Sequence, residues 1–260
     1  EGWAEYPIIW HDYSEENKFP FALRLPKDNG LSREAVLIQQ ANQSYYERLP
    51  VEIIESIFPS VEMDGKTFEH GIQEILSTSW NSDKPHIILL ADGGMGKSTM
   101  LLDACRKMDN ALYVSPESLL TIGYGIEEYC AHELFDGSIS RLRNFTRDKH
   151  SEPNLVLVVD GLNEVDGEAE QKFITEIKRL NLQKGIQVII SSRSDFTPRY
   201  SMSGYQVSAL QQLSDEQVRT VFTHEEWEEI CETPTLLHLL RNPMMLTMYK
   251  EVSPVIEKHS

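Results

Sequence analysis

Residues 87–99 read IILLADGGMGKST, and no other stretch restricts the possible folds of this chain as much. Ile87, Ile88, Leu89 and Leu90 make an apolar run of strand length. A glycine-rich turn follows, with Gly93, Gly94 and Gly96 around Met95, and Lys97, Ser98 and Thr99 then open a helical pattern. Glycines free the backbone to take positive φ, so that its N–H groups converge on one anion. The positive end of the following helix dipole strengthens that field. Lys97 is placed to reach β- and γ-phosphates, and the Ser98 hydroxyl to take one Mg²⁺ position. The consensus for such a loop is G-x-x-x-x-G-K-[ST]. Here its first position is Ala91, which is small enough for a strand end as long as its φ stays negative.

Charge excludes some partners. The chain of 260 residues carries 24 basic against 41 acidic side chains, a net charge of −17. A general nucleic-acid binder needs a basic footprint, and an anionic membrane surface would repel such a chain. The basic cluster Arg141, Arg143, Arg147 and Lys149 reads as a solvated helix face. The three cysteines are far apart and form no C-x-x-C pair, which speaks against zinc or a disulfide framework and fits a reducing cytosol. No apolar run approaches the ~20 residues of a membrane span, and the start lacks a signal-peptide pattern. The chain opens on Glu1 and ends within a charged helical pattern, which suggests a fragment of a longer protein.

In chain order, residues 1–60 read as an N-terminal linker and helical arm, with Tyr6–Trp10 as a short edge strand. Ser32 is an N-cap for a helix carrying Ile38, Ala41, Tyr45 and Leu49, stopped by Pro50. A short element spans Val51–Phe58, and Asp64-Gly65 is a turn. A second amphipathic helix is expected from Thr67, with Phe68, Ile72, Ile75, Leu76 and Trp80 on one face. Residues 61–210 read as the nucleotide-binding domain. Its further strands are expected at 111–114, 155–159, 186–190 and 205–208. The Val/Leu run before Asp160 suits a strand buried on both faces, with Asp160 at the carboxyl end where ligands bind in open α/β sheets. A carboxylate there can hold Mg²⁺ through water, and Glu164, beyond the strand tip, can orient or deprotonate an attacking water. Arg193 follows the fourth strand and can sense a γ-phosphate. Residues 211–260 read as a small helical subdomain: Ser214 to Gln217 is a capping box, and Pro234 and Pro243 each open a helix.

Four pieces in fixed order, ADGGMGKST, LVLVVDGLNEV, VIISSRS and RNPMMLTM, resemble the NACHT family of signal-transduction ATPases, in the STAND branch of AAA+-like P-loop proteins. The resemblance covers about residues 60–250. It implies a three-layer α/β domain with a parallel five-stranded sheet of order 5-1-4-3-2, followed by the helical subdomain. By position, Gly93 to Thr99 match the nucleotide-binding loop, and Lys97 and Ser98 its phosphate and Mg²⁺ ligands. Asp160 matches the Mg²⁺-coordinating acid, Glu164 the acid linked to hydrolysis, Arg193 the sensor arginine, and Pro243 the proline that packs on the base. The family commonly has Asp where this chain has Asn163, a change that bears on hydrolysis more than on binding. The implied function is an ATP/ADP switch with slow Mg²⁺-dependent hydrolysis that controls self-association, usually in cytoplasmic antiviral or innate-immune signalling. Sensor, effector and winged-helix parts would lie outside residues 1–260. The alternatives are a mechanical AAA+ remodeller, a P-loop phosphotransferase, and a scaffold that keeps nucleotide as a structural plug.

Overall fold

Alternate residues of the expected strands face opposite sides. Ile87 and Leu89 pack with Val156 and Val158 in one apolar cluster, whereas Ile88 packs with Leu155, Leu157 and Val159 in another. That alternation, with both sets buried, is what a sheet covered on both faces requires. The computed structural model describes residues 3–5, 24–26, 32–47, 58–69, 72–195 and 204–257. The expected strand at Tyr6–Trp10 lies outside them, as does the element at Val51–Phe58 up to its last residue.

β1 (Trp3–Glu5) pairs with β2 (Arg24–Pro26) in a separate two-stranded sheet. The main sheet holds β3 (Val61–Met63), β4 (Lys66–Phe68), β5 (His86–Leu90), β6 (Ala111–Val114), β7 (Leu155–Val159), β8 (Ile186–Ser192) and β9 (Tyr205–Leu210). Their spatial order is β4-β3-β9-β5-β8-β7-β6. Parallel pairing runs from β9 through β5, β8 and β7 to β6, while β3 pairs antiparallel with both β9 and β4. The expectation of a purely parallel five-stranded sheet is therefore corrected to a mixed sheet of seven strands. The expected helix from Thr67 is corrected with it. Residues 66–68 are a strand, and helix α2 of this region is Ile72–Trp80. Asp64 and Gly65 both have positive φ (51° and 74°), the geometry of a tight two-residue hairpin turn.

Helices cover both faces. Beside α2, helix α3 (Lys97–Lys107) buries Met100, Leu101 and Cys105 against the face of Ile87 and Leu89. The opposite face receives α4 (Pro116–Ile122), α5 (Ile126–Phe135), α6 (Ile139–Phe145) and α7 (Gly167–Leu180), the last through Phe173, Ile174 and Ile177. Helix α1 (Arg33–Tyr46) lies along the β6 edge of the sheet, capped by Ser32, whose hydroxyl accepts from the Ala35 N–H. Its fully buried Asn42 donates to the Ala111 carbonyl at 2.8 Å and accepts from the Tyr113 N–H at 2.9 Å. Gln39 donates to the Cys105 and Met108 carbonyls at the end of α3.

The chain closes with α8 (Asp215–Arg219), α9 (His224–Cys231), α10 (Pro234–Leu240) and α11 (Pro243–Glu257). They share a small core of Leu213, Val218, Ile230, Leu240 and Leu246.

Candidate nucleotide site

The turn after β5 shows how its residues are used. Gly94 and Gly96 have φ of 76° and 82°, values an L side chain rarely takes. Met95 is buried in the core and anchors the loop from its middle. Helix α3 starts at Lys97, so its first N–H groups lack intrahelical partners. Among the described residues only Asp64 and Asp136 combine a side chain with positive φ, so Ala91 keeps a negative φ. Its N–H donates to the Ser192 carbonyl at 3.2 Å and ties the loop to β8. Lys97 folds back over the turn, and its Nζ donates to the carbonyls of Ala91 (2.8 Å) and Asp92 (3.1 Å). Burial lowers the Lys97 pKa; Asp160 opposes that shift and Arg193 adds to it.

Asp160 is buried at the tip of β7, with both carboxylate oxygens engaged. The Tyr113 hydroxyl donates to Oδ2 and the Ser191 hydroxyl to Oδ1. The Ser191 oxygen in turn accepts the Gly161 N–H at 2.9 Å. Burial, and then the Asp160 charge, push the Tyr113 phenol well above its ordinary range, so it stays protonated as the donor. Glu164 ends the short 3-10 turn Leu162–Glu164. Its carboxylate folds against Gly161, where a Cβ would lie only 2.6 Å from Oε2. Burial raises the Glu164 pKa, and Asp160 and Glu117 raise it further against Arg193 and Lys97.

Asn163 has a definite task. Its Oδ1 accepts from the Ser192 hydroxyl (3.3 Å) and from the Arg193 N–H (3.2 Å), which joins the β7 tip to the end of β8. Ser194 donates to Asp92 and fastens the same segment to the loop. On the far side, Asn242 accepts from the N–H groups of Met244 and Met245 and donates to the Gly93 carbonyl at 3.1 Å. Pro243 stands at the first position of α11, 3.9 Å from where a Gly96 Cβ would sit.

A cleft of about 710 Å³ opens between the sheet tips and α11. It is lined by every site residue expected from sequence: Gly93, Gly94, Met95, Gly96, Lys97, Ser98, Thr99, Asp160, Glu164, Arg193 and Pro243. Tyr46, Phe58, Met244 and Met248 add an apolar wall. Tyr113 and Asn242 are the residues that sequence reasoning passed over. Tyr113 carries no local signal, whereas Asn242 was visible only as part of the RNPMMLTM piece, ahead of Pro243. Among the described residues no cluster of three or more His, Cys, Asp or Glu could hold a metal by itself. Ser98 and Asp160 fit Mg²⁺, which favours one or two protein oxygens completed by water and phosphate.

The basic cluster is locally paired. Arg141 meets Asp136, Arg143 meets Glu127, Arg147 meets Asp148, and Lys149 donates to the Trp80 carbonyl. No helix among the described residues is long and apolar enough to cross a membrane.

No protein-family model matches the chain, and no curated protein matches it. Among solved structures, that of PCH-2 from C. elegans aligns over 62% of this chain at 14% identity, with a TM-score of 0.35. The chain spans 46% of the length of that structure.

Proposed function

We propose that this chain is a nucleotide-operated switch of the NACHT type, binding ADP and ATP with Mg²⁺ and hydrolysing ATP slowly. The observation that carries the reading is that the phosphate-type loop, two acids from the β7 tip and the first turn of α11 share one cleft. Lys97 would leave the carbonyls of Ala91 and Asp92 for the β- and γ-phosphates, exchanging neutral acceptors for anionic ones. Ser98 and Asp160 would hold Mg²⁺, which neutralises phosphate charge. Glu164, its pKa raised, would take a proton from the attacking water, and Arg193 would register the γ-phosphate.

The switching element is α11. Asn242 and Met244 bond the loop carbonyls of Gly93 and Gly94, so a change in the loop bears directly on the helical segment. Such a device works only if the two nucleotides differ in affinity for the two arrangements. Opening of the helical segment would allow self-association, in a cytoplasmic defence role and with adenine preferred over guanine.

The test is to denature the purified protein, identify any nucleotide released, and then measure single-turnover hydrolysis and mass in ADP and in a non-hydrolysable ATP analogue. Released ADP, slow turnover and a mass increase with the analogue support the switch. Fast turnover in a constitutive ring points to a remodeller, and no nucleotide affinity at all overturns the reading.

A further inference from the structure

Helix α1 precedes the phosphate loop by some fifty residues, yet it is wired to the acid at the β7 tip. Its Tyr45 ring lies 4.7 Å from the Tyr113 ring, centroid to centroid, and its Asn42 fixes the Tyr113 N–H. Tyr113 spans from β6 to Asp160 at the tip of β7, with its ring buried and its hydroxyl on Oδ2. Ser191, from β8 and fully buried, holds Oδ1. The carboxylate is thus gripped from both flanking strands and cannot turn about its own axis without breaking a buried hydrogen bond. A carboxylate has about four lone-pair sites, so one hydroxyl on each oxygen leaves acceptor capacity on both.

We infer that Tyr113 is a positioning residue for Asp160, and that α1 tunes the affinity of the site for Mg²⁺ through it. This rests on the nucleotide reading above and adds a control point, because α1 lies outside the motifs that carry that reading. Partners that hydrogen-bond a ligating group fix its direction, and their loss typically weakens metal binding by about 10–100-fold. Tyr113 does not itself line the cleft; its effect is exerted through the direction of the Asp160 oxygens.

The experiment is calorimetric titration of ADP into the wild-type chain and into Tyr113→Phe, each over a series of free Mg²⁺ concentrations and in EDTA. The variant keeps the ring and removes one hydroxyl. The expected result is a Mg²⁺ requirement shifted upward by about 10–100-fold, with ADP affinity in EDTA unchanged. An equal Mg²⁺ requirement in both proteins overturns the inference and leaves the nucleotide reading standing. Wild-type protein without Mg²⁺-dependent ADP binding removes that reading instead. Ser191→Ala loosens the other oxygen and should shift the requirement in the same direction, which keeps the test decisive if Tyr113→Phe does not fold. Asn42→Ala tests the part played by α1: a folded variant with lowered stability but the wild-type Mg²⁺ requirement would limit the device to Tyr113 and overturn the role of the helix.

Discussion

The Met244 N–H donates to the carbonyl of Gly94 at 3.1 Å, so the first turn of α11 sits directly on the phosphate-type loop. The approach leaves no room for a side chain at position 94. A Cβ at position 94 would lie 2.9 Å from the Met244 Cβ.

Gly94→Ala should accordingly separate the two parts. The substitution forces an L side chain to φ near 76°, at about 1–2 kcal/mol, and adds the contact with Met244. The expected outcome is a lowered unfolding midpoint and faster proteolysis within residues 233–257. Wild-type values for both would mean that the loop and α11 are not packed this closely in solution.

Lys97→Ala removes the cation that the turn holds through the Ala91 and Asp92 carbonyls. Charge-assisted bonds are worth about 1.5–3 kcal/mol each, so nucleotide affinity should fall at least about 100-fold. Retention of micromolar ADP affinity by calorimetry would count against this loop as the phosphate cradle.

Glu164→Gln should bind ATP normally and lose about 10²–10⁴-fold in single-turnover rate. The pH profile adds a second check. Burial, Asp160 and Glu117 hold the Glu164 carboxyl above the usual glutamate range. A base must be ionised, so the wild-type rate should rise with pH through an inflection above that range, and the variant should show no such inflection. Identical profiles in the two proteins would take Glu164 out of the chemistry.

His86 supplies a stability prediction independent of nucleotide. It is buried at the start of β5, and its Nδ1 accepts the Val188 N–H at 3.1 Å. Burial lowers its pKa to about 4. The unfolded chain therefore takes up a proton near pH 6.5, while the folded chain resists until about pH 4. The stabilising contribution is complete above the unfolded value and is lost as pH falls through this window. Urea unfolding should show a loss of about 2 kcal/mol between pH 7.5 and pH 5 that is smaller in His86→Gln. Equal slopes for the two proteins would refute the assignment.

What could be read from sequence was whatever is encoded locally. The Ile87–Leu90 run, the glycines and Lys97 follow one another within a few residues, so the strand, the turn and the helix start they form were legible locally. The hairpin at 61–68 was not. Its strands are too short to show an alternation, and Phe68 falls on the helical period of Ile72, Ile75 and Leu76 in α2. Residues 61–63 are strand because they pair with 208–210, a partner nearly 150 residues away. Tyr113 and Asp160 are separated by 47 positions, and nothing at either one announces the other. Asn163 looked like a lost charge; in the fold its amide oxygen does the acceptor work of holding the Arg193 backbone.

Asn42 also decides where the sheet stops. Its amide occupies the Ala111 carbonyl and the Tyr113 N–H, the outward groups with which an added chain would have to register along β6. A helix side chain thus stands in for part of a neighbouring strand, which makes that rim a poorer template for intermolecular growth. At the opposite rim, β4 is three residues long and carries Lys66, so it too is a poor seed for runaway stacking. Among the described residues, growth of the main sheet by added strands is thus disfavoured at both of its rims.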